Sequence, residues 1–332
     1  MSKDLQHTNY NPGKPDHWSG RKISESLGVQ YWYQAVVCKA ISELKNLESG
    51  GFGLLGYACD EGVKRNQGRV GAVEGPKVLR GKLGKVAWHH ETKTVYDFGT
   101  VLCKDSDLEA CRETFSESIA NMISNRIFPI GLGGGHDMAY AHFMGIKKAC
   151  ENQNKRIGII NFDAHFDLRP IEESPNSGTP FNQINSVLKK ENKPFDYFVL
   201  GIQKGSNTKQ LFEIAKAEQV KVVYAEECLS DKSSLEAIKS KLNAFIASVD
   251  TLYITIDLDG FSSAYAPGVS APSPLGFSPD FVFNILGFLL NSEKVIALDI
   301  AELNPKYDRD GQTAILASRL VDFVVGNAPR SL

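Results

Sequence analysis

Eight short apolar runs, rich in β-branched residues, alternate with longer amphipathic stretches from about residue 52 onward. They are Phe52–Ala58, Thr94–Val101, Ile127–Leu132, Arg156–Phe162, Tyr197–Ile202, Val220–Tyr224, Leu252–Ile256 and Lys294–Ile300. Several, such as IGIINF and VIALDI, are almost wholly hydrophobic, the pattern of strands covered by helices on both faces. The intervening segments Ser206–Gln219 and Ser234–Ser248 have the pattern of crossover helices. This alternation predicts an α/β chain with a mostly parallel sheet and helices on both sides. Ligands of such sheets gather beyond the carboxyl ends of the strands, so the polar residues there are the ones to weigh.

Three strand ends stand out. Asn161–Arg169 reads NFDAHFDLR directly after IGII. On an extended backbone Asp163, His165 and Asp167 would project to one side, with Ala164 and Phe166 on the other. A solvated edge strand could alternate in the same way, but the apolar residues before it imply a central strand. Thr255–Gly260 reads TIDLDG, which places Asp257 and Asp259 on one face; alone, such a pair is more often a turn or a helix cap. Pro129–Asp137 reads PIGLGGGHD, where the glycines allow a sharp turn and close approach to a ligand. That loop lacks the Lys-Ser/Thr of a nucleotide-binding P-loop and does not match G-x-G-x-x-G. His136 therefore joins the other five as a candidate ligand.

Four carboxylates gathered in a low-dielectric site would repel or take up protons unless cations balance them. Two divalent ions do so. A set of hard oxygens and two imidazoles, without thiolate, suits manganese better than zinc, with iron, cobalt or nickel as alternatives.

Composition restricts the remaining classes. The chain has 332 residues, 42% of them hydrophobic, ample for one large α/β domain or two smaller ones. Its formal charge of −2 supplies no field for nucleic acid. The first twenty-two residues are polar and broken by Pro and Gly, unlike a secretory signal. The most apolar stretch, Phe281–Leu290, is too short to span a bilayer. A cytoplasmic protein is expected, with neither nucleic acid nor membrane as partner. Six scattered cysteines, with no CxxC pair, read as ordinary reduced or buried thiols.

The segments GLGGGHD, NFDAHFDLR, TIDLDGF and ALDIAELNP resemble, in order, the four signatures of the arginase/agmatinase/formimidoylglutamase (ureohydrolase) family. The stretch Asn66–Ala72 with Glu74-Gly75-Pro76 and Leu79-Arg80 resembles the family's early loop and helix, for which a structural role is expected. The resemblance implies a three-layer α/β/α fold with an eight-stranded, mostly parallel sheet. It spans a single catalytic domain over residues 1–332, with about 1–50 as an N-terminal extension packed on it. It also implies two Mn2+ per chain, held by His136, Asp163, His165, Asp167, Asp257 and Asp259, with one or more Asp bridging them and Asp137 helping to position the ligands. Metal-held hydroxide would attack an amidine carbon, Asp167 would pass a proton to the leaving nitrogen, and Glu302 would face the substrate's cationic group.

Within the family, arginases and many agmatinases carry His-Gly-x-Pro downstream of the Asp-x-His-x-Asp motif. Here Ser177-Gly178-Thr179-Pro180 stands instead, which argues against arginase. Ser177–Phe181, Asp163–Arg169, Asp60–Arg69 and Trp18–Arg21 resemble the formimidoylglutamase branch. That branch implies hydrolysis of N-formimidoyl-L-glutamate to L-glutamate and formamide, a step of histidine breakdown. Its substrate carries an amidine and two carboxylates. Arg169 could clamp a carboxylate with its planar fork or make a surface ion pair, and Asn176 and Ser177 are further candidates for substrate contact. The alternatives are agmatinase or another guanidino-acid amidinohydrolase, a silent binding protein on this fold, or a nucleotide binder using the glycine loop. Relatives commonly form trimers or hexamers; for this chain the oligomeric state stays open.

Overall fold

The computed structural model describes residues 9–47 and 50–328; the first eight residues of the polar N-terminal stretch lie outside it. All eight apolar runs form strands. In chain order the strands are β1 (Tyr10–Asn11), β2 (Val37–Cys38), β3 (Phe52–Ala58), β4 (Val95–Leu102), β5 (Phe128–Leu132), β6 (Ile157–Phe162), β7 (Asp196–Ile202), β8 (Lys221–Tyr224), β9 (Thr251–Asp257) and β10 (Val295–Ala301). They form one sheet in the order β1-β4-β3-β5-β10-β9-β6-β7-β8, with β2 beside β4. The pairings from β3 to β10 are all parallel.

The expected eight-stranded parallel sheet is therefore present, and two additional strands of two residues each extend it to ten. Both additions come from the first fifty residues, the segment expected to be an N-terminal extension, and β1 runs antiparallel to β4. An edge strand exposes unpaired backbone groups, and a short covering segment satisfies them. Buried charge fixes this extension further. Arg80, from the helix Gly75–Leu83, forms a two-pronged ion pair with Asp97 on β4, and the Trp18 indole N–H donates to Asp97 Oδ2 at 2.8 Å. Arg80 and Asp97 are 2% and 0% exposed, so each charge depends on the other. Pro76 occupies the first turn of its helix, where its missing N–H costs nothing.

Helices cover both faces. Leu108–Ser124, Met138–Cys150 and Pro180–Lys190 lie on one side with the cluster that includes Tyr57, Phe115 and Phe181. Pro279–Leu290, Gln312–Asn327 and Lys232–Ala247 lie on the other with Leu289, Val321 and Leu242. The strands between them are buried almost throughout, as their apolar runs require. The two expected crossover helices are found at Lys209–Ala217 and Lys232–Ala247. No helix among the described residues is long and apolar enough to cross a membrane.

Candidate metal centre

The carboxyl ends of β5, β6, β9 and β10 meet at the middle of the sheet. The loop after β5 carries His136, the segment after β6 carries Asp163, His165 and Asp167, and β9 ends at Asp257 followed by Asp259. All six candidate ligands converge. His136 Nδ1 lies 3.2 Å from Asp163 Oδ2, 2.9 Å from Asp167 Oδ2 and 3.1 Å from Asp257 Oδ2. His165 Nδ1 lies 3.5 Å from Asp163 Oδ1 and 3.1 Å from Asp259 Oδ2. The donors fall into two groups, His136–Asp163–Asp167–Asp257 and Asp163–His165–Asp259, with Asp163 in both. Its Oδ2 faces the first group and its Oδ1 the second, which is the placement of a bridging carboxylate.

The local geometry differs from a simple alternating strand. β6 ends at Phe162, and Asp163 Oδ1 accepts the His165 backbone N–H at 2.7 Å, folding the chain into a tight turn. Asp257 Oδ1 accepts the Asp259 N–H at 2.7 Å in the same way, and Leu258–Gly260 forms a short 3₁₀ turn. Asp167 has φ +48°, a left-handed conformation that no extended strand contains. Convergence thus comes from two carboxylate-capped turns, while Ala164 and Phe166 are buried.

The glycine run has a different basis from the one expected. None of Gly133, Gly134 and Gly135 has positive φ. Their need is for space: a side chain on Gly133 would collide with the Ile300 carbonyl, and one on Gly134 with the Cys59 and Tyr57 carbonyls. The loop is wedged between neighbouring strand ends by Gly133 N–H to Ile300, Gly134 N–H to Tyr57 and Gly135 N–H to Cys59. His136 is thereby presented from rigid backbone.

A buried chain of hydrogen bonds sets the proton on His136. Thr255 Oγ1 lies 3.0 Å from His136 Nε2 and 2.6 Å from Asp299 Oδ1. The Thr255 hydroxyl donates to Asp299 Oδ1, which leaves its oxygen to accept the proton of His136 Nε2. In the neutral ring that would bind metal, Nδ1 would then carry the lone pair on the carboxylate side, the tautomer a metal ligand needs. Asp299 is held in turn by Tyr253 and by His142 Nδ1 at 2.6 Å. Asn161 Nδ2 donates to Asp163 Oδ2 at 2.9 Å and also to Tyr197.

Asp137 is fully buried behind His136, accepts from Tyr57 at 2.6 Å and faces Arg112 at 3.5 Å. Burial pushes its carboxyl up to about 7, against the pull of Arg112. Glu302 follows β10 with φ +65°. Its Oε1 accepts the His136 N–H at 2.8 Å, while its Oε2 is buried without a partner.

The electrostatics call for positive charge. Burial, reinforced by Asp163, pushes Asp167 up to about 6. Burial, then Asp257, raises Asp259 and Glu302 well above the carboxylate range. Burial alone would lower the His136 pKa, but its carboxylate neighbours lift it well above the ordinary imidazole value, and His165 behaves likewise. His136 Nδ1 and Asp259 Oδ1 are buried without hydrogen-bond partners. Separations near 3 Å are those of adjacent donors around a six-coordinate ion at about 2.1 Å. Four carboxylates and two imidazoles fit two divalent cations of the harder kind.

A cavity of about 320 Å³ opens above these groups, lined among others by Asn66, Arg69, Arg169, Ser177, Asn207 and Glu302. Arg169 is exposed at the rim, and its side chain makes no ion pair or hydrogen bond with any described residue. Ser177 Oγ accepts from Asn66 Nδ2 at 3.1 Å. Asn176 is placed differently: it lines the adjoining outer cleft and turns its amide oxygen to the Gly178 N–H. Arg69 is committed to the wall, donating to the Ser270 and Val269 carbonyls and packing over Tyr307, which agrees with a structural role for the early loop. Thr255, Asp299, Tyr57 and Arg112 were not singled out from sequence.

A parallel sheet carrying paired Asp/His half-sites at its strand ends defines a binuclear-metal hydrolase of the α/β/α type. The Arginase family model matches residues 51–326, and the chain belongs to that family. It is 41% identical to the formimidoylglutamase of Aliivibrio fischeri, covering 92% of each chain. It is 37% identical to the formimidoylglutamase of Clostridium tetani, covering 96% of each. Among solved structures, formimidoylglutamase from Bacillus subtilis superposes with a TM-score of 0.75 at 22% identity, over 88% of this chain and 93% of that one. A variant of Trypanosoma cruzi formiminoglutamase with Mn2+2 gives 0.74 at 25% identity, over 88% and 99%.

Proposed function

We propose that this chain is a formimidoylglutamase, converting N-formimidoyl-L-glutamate and water into L-glutamate and formamide. The observation that carries the reading is the polarity of the cavity, with buried carboxylates at its base and, at its rim, a guanidinium that no other described residue engages. A substrate with a cationic amidine at one end and carboxylates at the other matches that gradient. The curated relatives named above, similar over more than nine-tenths of the chain, support the same substrate.

His136, Asp163, Asp167 and Asp257 would hold one Mn2+, and Asp163, His165 and Asp259 the other. When bound, such a pair lowers the pKa of water from 15.7 to about 7, making hydroxide available at neutral pH. Glu302 orients the amidine: Oε1 is fixed by the His136 N–H, and Oε2 is left to receive a substrate N–H. Arg169 receives a substrate carboxylate as a planar pair of hydrogen bonds. Asp167 carries a proton to the departing nitrogen, so that glutamate leaves as an amine. Ser177 and Asn66 supply neutral hydrogen bonds to the polar substrate, and Asn176 adds to the outer wall. A cytoplasmic enzyme is part of the reading.

Side-by-side assays of Mn-loaded protein test it. Glutamate and formamide are expected from formimidoylglutamate, with little urea from arginine or agmatine. Urea without glutamate would reassign the chain to the guanidino branch.

A further inference from the structure

Three consecutive residues run from the metal site to the cavity rim, and each is tied to the segment around the start of the helix Pro180–Lys190. The Asp167 carbonyl accepts the Phe181 N–H at 3.2 Å, and the Leu168 carbonyl accepts from Asn182 Nδ2 at 3.2 Å. The Arg169 N–H donates to the Gly178 carbonyl at 2.9 Å. The stem of Arg169 also lies against Gly178, where an added Cβ would stand 3.0 Å from Arg169 Cδ and 3.1 Å from its Nε. No described residue engages the guanidinium itself. Its position therefore depends on where the turn Asn176–Thr179 holds Gly178.

Thr179 holds that turn. It is the N-cap residue of the helix, where a threonine hydroxyl usually accepts an N–H of the first turn, yet its side chain caps nothing. The Phe181 N–H, one of the orphan donors of that turn, is satisfied by the Asp167 carbonyl instead. The hydroxyl is turned back onto the loop. Thr179 Oγ1 accepts the Asn176 N–H at 3.0 Å and donates to the Asn176 carbonyl at 2.9 Å.

A second bond reaches the same oxygen from Gln183 Nε2 at 2.8 Å. The Gln183 amide faces one way only, because Arg112 Nη1, which can only donate, lies 3.1 Å from Gln183 Oε1. Both lone pairs and the proton of the Thr179 hydroxyl are thus committed. Arg112 in turn faces Asp137, the neighbour of His136, at 3.5 Å. Thr179 is 0% exposed, Arg112 5% and Gln183 7%, so water does not replace a bond lost among them. Thr179 lines neither the cavity nor the outer cleft.

We propose that Thr179 is a positioning residue for substrate selection: its hydroxyl, oriented by Gln183 and Arg112, fixes the turn Asn176–Gly178 so that Arg169 stands where a substrate carboxylate arrives. On the formimidoylglutamase reading, on which this inference rests, the buried relay sets the preference for an anionic substrate. A guanidinium free to wander loses its side-chain freedom when a carboxylate binds; one whose backbone and stem are already placed loses less. Thr179 acts through Arg169 alone, and its loss is felt in substrate binding and not in the metal ligands.

A double-mutant cycle on Mn-loaded full-length protein tests this, read as glutamate released from formimidoylglutamate. T179V keeps the shape and removes the hydroxyl. It should raise KM about tenfold while kcat changes by less than about twofold, with manganese content unchanged and KM restored in T179S. In an R169M background, T179V should add nothing, because its effect passes through Arg169. G178A breaks no hydrogen bond, and Gly178 has no positive φ, so it serves if T179V folds poorly. Its methyl presses on the Arg169 stem and should raise KM at least about twofold. Full additivity of T179V with R169M, manganese lost from T179V, or an unchanged KM in T179V or G178A would each overturn the assignment. Glutamate released by wild type but equally by T179V thus counts against Thr179. No glutamate from wild type would overturn the formimidoylglutamase reading, and this inference with it.

Discussion

The Thr255 hydroxyl stands between His136 Nε2 and Asp299, and so fixes which nitrogen of His136 is free to bind metal. Neither Thr255 nor Asp299 faces the cavity, yet the ligand's protonation depends on both. Replacing Thr255 with Val keeps the shape and removes the hydroxyl. Mn2+ affinity, measured by calorimetric titration, should fall about 10–100-fold, with serine restoring most of it. Unchanged affinity in T255V would remove the assigned role.

Asp163 offers one oxygen to each half of the site. D163N should therefore reduce bound manganese at both positions, and metal analysis should read well under one ion per chain where wild type holds about two. D259N, whose carboxylate belongs to one group alone, should retain close to one. Chelation of the wild-type protein should abolish activity, with recovery on Mn2+ addition.

Protons compete with metal for the same atoms. Without cations, the carboxylate neighbours raise the His136 and His165 pKa values well above the ordinary imidazole value against the effect of burial, so protons hold both rings more firmly in the metal-free protein. Each must lose its proton to become a ligand, and affinity therefore rises with pH. The dissociation constant for Mn2+ should increase steadily as pH falls, with proton release visible in buffers of different ionisation enthalpy. A flat profile would contradict the assignment of both imidazoles.

Arg169 stands at the cavity rim, its side chain engaged by no other described residue. Exchange to Met should raise KM for formimidoylglutamate about 10–100-fold, the loss of a charge-assisted hydrogen bond, without changing manganese content. Equal kinetics in R169M and wild type would return Arg169 to the surface.

The pair Arg80–Asp97 secures the N-terminal extension from inside the sheet. D97A leaves a buried guanidinium uncompensated and should cost about 3–5 kcal/mol in urea denaturation, whereas R80M/D97L together should cost much less.

Much of this molecule was legible in its chain. The eight apolar runs became eight parallel strands because a residue buried on both faces tolerates little else. The convergence of the six candidate ligands was legible because acids and imidazoles directly after such runs have few other reasons to be there. The two added strands were not visible: two residues carry no periodicity, and Tyr10–Asn11 pairs only because β4 offers an open edge. Asp299 was hidden differently. It sits within VIALDI, where its charge is a local contradiction, and its partners His142 and Tyr253 are 157 and 46 residues away. A carboxylate inside a hydrophobic strand was the available signal. The turn at Asp163 was missed because strand alternation and a capped turn place the same side chains together.

Asp167 and Glu302 both occupy left-handed backbone, where side chains beyond glycine are disfavoured. Glycine at position 302 would relax the chain and dispense with a buried, unpartnered carboxylate oxygen. That relief would be set against the His136 N–H left without its acceptor, and the proposed hold on the amidine would be lost. Under selection for durability alone, these are among the first places where the sequence would drift, and their persistence in a lineage would record continued use of the enzyme.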